Sequence, residues 1–337
     1  INAKHPSNFS NTDFLSRYWN VTQSGIANCV ATIDGTYLDP ADINGSEANI
    51  AAAQLTGTFN QTTNPWAKFS AIGSNTLNVT GATIAAGQTT TFTGITSANP
   101  TVNITGGDVS ICNGSSVVIT ANATGDAPFT YAWSPTAGLS SSTVANPTAS
   151  PSVTTVYTVT VRDGNGIVAA DNTTITILPL PTLTGASQSA TVCEGSGAIV
   201  NLSGLLPSST STIQYTINGV AQAPVAGVVA DGAGAANFTT ANLISTNNGQ
   251  VLQITGLTVT STTPNCSQAF GYNVTLDVDQ DAVINTGPLP VTSCEGNTVQ
   301  FTASASGSDL TYQWQEDNGG GFVNIANGGI YSGADTP

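Results

Sequence analysis

The sequence predicts an all-β protein built as several sandwich modules in a row, and three observations predict it. Polarity comes from Thr, Ser, Asn and Gly, with only 7% of the 337 residues charged, against about a quarter in an ordinary globular chain. Apolar and polar residues alternate over short runs bounded by Gly, Asn and Pro, the two-residue period of a strand with one buried face. One phrase also recurs, as Cys112-Asn-Gly114, Cys193-Glu-Gly195 and Cys294-Glu-Gly296. Its copies stand about 80 and about 100 residues apart, the size of one β-sandwich domain. Helix formers are sparse and Met is absent, while the abundant Thr is β-branched and suits a pleated, half-exposed surface.

Residues 1–98 read as an N-terminal sandwich-like domain, with strands in "NCVATID", "TLNVT" and "TTTFTGIT" separated by turn residues. "SANPTVNITGG" joins it to module one, residues 99–180. There Val117, Ile119 and Ala121 share one strand face, and an aromatic strand carrying Trp133 follows. In "TTVYTVTVRDGNG", Tyr157, Val159 and Val161 face a core and alternate with Val156, Thr158, Thr160 and Arg162. Asp163-Gly164-Asn165-Gly166 is strong hairpin-turn chemistry. "NTTITILP" is the return strand, and Pro179 and Pro181 end the module. Module two, residues 181–279, repeats the plan with Ile199 to Leu202, Tyr215 and the closing run "GYNVTLDVD". Module three, residues 280–337, has Val299, Phe301 and Ala303 in the first strand and Tyr312-x-Trp314 in the aromatic one. Turns every 8–12 residues or so favour strings of sandwiches over one large barrel.

Charge excludes several functions. Lys4, Arg17, Lys68 and Arg162 are the only Lys and Arg residues, and the net charge is −15. No cationic stripe exists to displace counterions from nucleic acid or to dock on anionic lipid. No run of about 20 apolar residues would span a membrane, and "INAKHPSNFS" lacks the apolar core of a signal peptide. A start without Met reads as a processed chain or an internal fragment. Few Lys and Arg leave few trypsin-type cleavage points, which suits life outside the cell; compositional drift would leave the same trace.

No enzyme is expected. A hydrolytic triad needs a base poised near neutral pH, and the single His, His5, lies near an end expected to be loose. Zinc spacing, a phosphate-cradling loop and a nucleophile elbow are all missing. Calcium is the one cofactor to consider, because hard cations need several oxygens on a short stretch. Asp277, Asp279 and Asp281 alternate along "LDVDQDA" and would share a strand face, with Glu295 near; the alternative is a solvated acidic edge that discourages strand pairing. "DPADINGSE", with Asp39, Asp42, Asn44 and Glu47, lacks the spacing of a known calcium loop. Trp133 and Trp314 occupy the register of a sandwich core Trp; Trp19 and Trp66 stay open between core and sugar-stacking roles. Sequons at Asn20, Asn78 and Asn103 are discounted in so Thr-rich a chain.

The run "ICNGSSVVITA" and the "YAWSPTAGLSSSTVANPTASPSVTTVYTVTVRDGNG" after it resemble the immunoglobulin- and PKD-like repeats of giant Bacteroidetes surface proteins. These are exported by the type IX secretion system and include the SprB-type gliding-motility adhesins. "TYQWQEDNGGGFVNIANGGIYSGADTP" resembles a related repeat of the same proteins, so the likeness covers residues 101–337; "FLSRYWNVT" and "ADINGSEANI" are similar to segments that precede such repeats. The resemblance implies tandem immunoglobulin-like sandwiches in an elongated, cell-surface array that serves adhesion or gliding. It implies neighbouring repeats and a surface polysaccharide or other cell-surface ligand as partners, with no nucleic acid and no membrane insertion. The rival is an accessory stalk or carbohydrate-binding segment of a secreted multidomain enzyme. Repeats of this kind often carry a second Cys where this chain has Ile167, and their C-terminal sorting domain is not in these residues.

Five cysteines leave at least one unpaired internally. Only module two holds two, so Cys193 and Cys266 are expected to form a disulfide, closing a loop of about 73 residues. Cys112 lacks the partner expected at Ile167, that of Cys294 would fall beyond Pro337, and Cys29 is free or pairs with Cys112. Module three has about 58 residues where a sandwich needs nearer 100, and lacks a closing Tyr-x-Val-x-Val strand. Without that strand the apolar faces around Phe301 and Trp314 would stand exposed, so the closing strand is expected either from a continuation of the polypeptide or from a neighbouring subunit.

Overall fold

The computed structural model describes residues 3–27 and 29–337; Asn28, which opens the expected strand "NCVATID", lies outside them, as do Ile1 and Asn2. The described residues contain strands and two single turns of 3-10 helix, Glu47–Asn49 and Ser245–Asn247. Among them no helix is long and apolar enough to cross a membrane. The chain divides into two compact units, Ile1–Leu178 and Pro179–Pro337.

In the first unit, a four-stranded antiparallel sheet runs in the order Tyr18–Thr22, Thr89–Thr96, Ile50–Thr56, Ala67–Ala71. A two-stranded ladder, Cys29–Thr36 with Thr76–Ile84, faces it. Leu15, Ile50, Leu77, Val79 and Phe92 form the core between them. Alternation marked the outer strands, but "IAAAQLT" escaped it. This strand is central and its two faces are both covered, so Ile50 through Leu55 is buried without a break, the continuous pattern of a doubly covered strand. Its second face packs Ala53 and Leu55 with Trp66 and Ile95.

Module one follows in the same unit. Thr101–Thr105 pairs with Thr120–Thr124, and Val117–Val118 with Thr148–Ala149. The opposing sheet runs Val109–Cys112, Val168–Leu178, Thr155–Arg162, Thr130–Ser134, its first pair parallel and the rest antiparallel. Tyr157, Val159 and Val161 are fully buried while Val156 stands out, as period two requires. Trp133 lies opposite Val159 and donates Nε1–H to Val144 O at 2.9 Å. The Tyr157 hydroxyl donates to Ala137 O at 2.7 Å, a corner bond that ties the strand back to an upstream loop.

The second unit begins with module two. Gly185–Gln188, Gly197–Ser203 and Ala236–Asn242 form one sheet. Thr210–Ile217 is paired on one side by Val220–Ala221 and Val225–Val229, on the other by Val251–Val259 and then Cys266–Thr275. Val192–Cys193 runs parallel to Val278–Asp279. Both modules thus oppose an A–B–E set of strands to a C–F–G set, with a short strand parallel to the last. That order makes them immunoglobulin-like sandwiches.

Residues 280–337 depart from expectation. They make two small ladders, Val283–Thr286 with Ser304–Ser306 and Gln315–Asp317 with Phe322–Asn324. Val299, Phe301 and Ala303 lie outside any strand, as do Tyr312 and Trp314. Trp314, in the register of a core Trp but expected to be uncovered without a closing strand, is half-exposed; its ring meets that of Phe301 at 6.4 Å and its Nε1–H reaches Thr336 O. Ala334 is the one buried residue described here. An apolar strand face is stable only against a second covering layer, and the two ladders enclose no core among the described residues beyond Ala334.

Removing the Tyr157 hydroxyl leaves Ala137 O unpaired. Tyr157→Phe should destabilise the first unit by about 1–2 kcal/mol and Trp133→Ala by about 3–5 kcal/mol. Hydrogen exchange under increasing denaturant should find both losses in Thr155–Arg162 and neither in module two.

Candidate functional site

The expected site residues disperse. Asp277, Asp279 and Asp281 do alternate with buried Leu276 and Val278 on the solvent side, but Asp277 Oδ2 already accepts from the Thr191 hydroxyl at 2.5 Å. Glu295 is exposed. Among the described residues no group of three or more His, Cys, Asp and Glu is placed to hold a metal. In the other acidic loop Asp42 is buried, lies 2.8 Å from Arg17 Nε and accepts the Leu38 N–H at 2.7 Å. Glu47 accepts from the Tyr37 hydroxyl and from the Asn75 N–H. Burial, with that carboxylate beside it, pushes the Tyr37 phenol up. Asp42 and Glu47 thus serve as acceptors within the fold.

The cysteines correct the expected pairing. Cys193 is a free, exposed thiol, whereas Cys266 and Cys112 are disulfide-bonded; Cys29 and Cys294 are free. Cys266 opens the ten-residue strand that ends at Thr275, and Cys193 sits beside Asp279, past the far end of it. Ten residues of strand span about 30 Å, whereas a disulfide needs Cα atoms within about 7 Å. The sequence count had put two cysteines in one module without knowing which end of the sheet each occupied.

His5 is not on a loose end. Its ring packs edge-on between Tyr18 at 4.9 Å and Trp66 at 5.2 Å, and its Nδ1 accepts the Ser7 N–H. Burial lowers its pKa, so it serves as a neutral wedge. Trp66 is buried and donates Nε1–H to Ser7 O at 2.7 Å; Trp19 is half-buried against the core. Both are structural.

The densest polar site lies where the N-terminal domain meets module one, at the turn Asp163–Gly166. Asp163 is 1% exposed and Asn165 0%, which no hydropathy pattern would suggest for turn residues. Asp163 Oδ1 accepts the N–H groups of Asn165 and Ile167, closing the turn, while its buried Oδ2 has no hydrogen-bond partner. The Asn165 carboxamide is used at both ends: Oδ1 accepts the Phe9 N–H at 2.9 Å, and Nδ2 donates to Ser10 Oγ at 3.1 Å and Asp126 Oδ2 at 3.0 Å. Asp126 Oδ1 accepts the Asn11 N–H at 3.0 Å, and Asn165 O accepts the Trp66 N–H at 3.2 Å. Gln61 Nε2 donates to Pro128 O and Asp163 O. Lys68 Nζ donates to Ser97 O and Ala98 O in the linker and to Asn99 Oδ1. Burial raises the Asp163 pKa, the Asp126 charge adds to this, and the turn N–H groups and Lys68 oppose it. Burial likewise lowers Lys68, against the pull of Asp163 and Asp126.

Module two carries a shallow cleft of about 280 Å³. Asn218, Gln222, Asn242, Asn247 and Gln250 line it over Leu243. Asn247 accepts the Ile244 N–H and donates to Gln250 Oε1 at 3.0 Å, which orients that pair. No charged side chain lines it.

No protein-family model matches the chain, and no curated protein does. Among solved structures it is similar to an I-band fragment of titin (14% identity, 69% of this chain and 83% of that one, TM-score 0.44). It is also similar to the N-terminal eight Ig domains of Down syndrome cell adhesion molecule (10%, 95% and 44%, TM-score 0.38). A third is Sidekick-1 immunoglobulin domains 1–4 (15%, 77% and 71%, TM-score 0.29). The fold assignment rests on the strand order.

Native, non-reducing alkylation should modify exposed Cys193 and Cys294 quickly and half-buried Cys29 more slowly. Cys112 and Cys266 should react only after reduction. Peptide mass mapping checks both. Asp163 makes a pH prediction. Its folded pKa is raised, so its linked stability is full below the ordinary carboxylate value of about 3.9 and is lost as pH rises through the folded value. Asp163→Asn lacks that loss. Between about pH 4 and neutrality the first unit's melting temperature should shift in the variant's favour relative to wild type.

Proposed function

We propose that the chain is a non-enzymatic, extracellular repeat segment of a bacterial cell-surface adhesin or filament. The carrying observation is the serial arrangement of immunoglobulin-like sandwiches, each with its own core and the first of them bonded to the neighbouring domain through buried Asn165. Such an array works mechanically. Stiff modules hold contact surfaces away from the cell, and many weak contacts add through effective concentration. The resemblance of residues 101–337 to Bacteroidetes repeats supports export by the type IX route and a role in gliding.

The partner this surface suits is a neutral, hydroxyl-rich polysaccharide. Carboxamides each offer a donor and an acceptor, and the cleft of module two presents five of them with no charge to attract an ion. Ligand contact is thus a matter of hydrogen bonds at weak individual affinity.

Protease treatment of intact cells that encode the chain should remove it, with antibodies to it labelling unbroken cells. Signal only after lysis would overturn the reading. On immobilised surface polysaccharide from the same cells, Asn242→Ala with Gln250→Ala should weaken retention of the chain several-fold. Retention unchanged by the double variant would remove the cleft from the account and leave the surface location standing.

A further inference from the structure

We propose that Lys4–Asn11 is a clamp that docks the Asp163–Gly166 turn and makes the N-terminal domain and module one a single mechanical unit, with Asn165 as its central contact. The claim concerns the joint alone and holds whatever the array binds.

The clamp is shaped before it grips. Lys4 Nζ donates to Ser10 O and lies 4.3 Å from the Phe14 ring centre, and Asn8 Oδ1 accepts the Ser10 N–H. Asn8 Nδ2 donates to Gly94 O, Trp66 Nε1 to Ser7 O, and the Thr96 N–H to Ser10 Oγ. The segment is therefore bolted to its own domain along its length, and presents Phe9 N–H, Ser10 Oγ and Asn11 N–H outward.

The turn is cut to fit. Gly166 has φ +86°, and a Cβ there would come 2.2 Å from Pro65 Cβ. Gly164 is more telling, because its φ is not left-handed and the turn itself does not call for glycine. A Cβ at Gly164 would lie 2.5 Å from Phe9 Cβ and 2.6 Å from Ala127 O. The clamp's Phe9 on one side and module one's own Ala127 O on the other thus leave no room for a side chain at a glycine that backbone conformation leaves unexplained. Asn165 matches in polarity as well as shape, with Oδ1 on a donor and Nδ2 on two acceptors. An aspartate of the same size would place a second carboxylate against Asp126 in a site sealed from water, where like charges are costly.

Three backbone amides report the joint directly. Phe9, Asn11 and Trp66 belong to the N-terminal domain, and their N–H groups end on Asn165 or Asp126 of module one. In the full chain these three should be protected from hydrogen exchange, and Asn165→Asp should speed their exchange by about tenfold or more. Amides of the strands Thr89–Thr96 and Thr155–Arg162 should keep their protection, which separates an opened joint from an unfolded domain. Should Asn165→Asp also unfold module one, Phe9→Ala, whose ring packs against Phe59 of the N-terminal domain, serves in its place and should speed Asn11 and Trp66. Absence of protection at the three amides in the wild type would overturn the proposal, as would unchanged exchange in Phe9→Ala.

Discussion

An apolar sheet face needs a second sheet over it, and most of this molecule follows from that single requirement. Three sets of strands meet it, with cores around Phe92, Tyr157 and Tyr215. In each, outer strands deliver alternate side chains inward, while the central strand Ile50–Thr56 is covered on both faces. Residues 280–337 carry the same alternating phrases, yet Phe301 and Trp314 are left half-exposed, outside any strand and without a buried core around them. A strand pattern is an offer of one face, and the packing partner decides whether it is taken up.

The shortage of charge gives the interior its polar character. With four Lys and Arg residues in the chain, buried polar groups are matched mainly by amides, hydroxyls and backbone. Asn165, Asn8 and Gln61 bind carbonyls and N–H groups that another protein would serve with a salt bridge. Amide networks of this kind demand exact polarity at each end, so they fix orientation better than they add stability. The cost is concentrated at Asp163, whose buried Oδ2 is left without a partner. Two of the four basic side chains, Lys4 and Lys68, sit close enough to soften the field of Asp126 and Asp163.

In the proposed adhesive array, rigidity at the first joint would act through leverage. Multivalent binding gains from modules held at defined spacing, since effective concentration falls when linkers wander. A turn buried by its neighbour and a linker held by Lys68 remove that freedom between two consecutive domains. In the proposed adhesive role, the uncharged cleft of module two would present hydrogen-bonding groups without long-range attraction.

The sequence by itself determined the all-β class, the modular repeat and the inward faces of the strongest strands, because period-two burial is written in the order of side chains. Trp133, Tyr157, Val159 and Val161 were legible for that reason. So was the hairpin at Asp163–Gly166, since turn chemistry is local. Only tertiary structure decided the rest. The central strand Ile50–Thr56 hid because burial on both faces erases alternation. The cysteine pairing hid because a residue count carries no information about which end of a strand a thiol occupies. The junction hid most completely: its residues are Asn, Ser, Gly and Asp, which read as solvated loop in any local window. They become an interior only when two segments some 155 positions apart, at Ser10 and Asn165, are brought face to face.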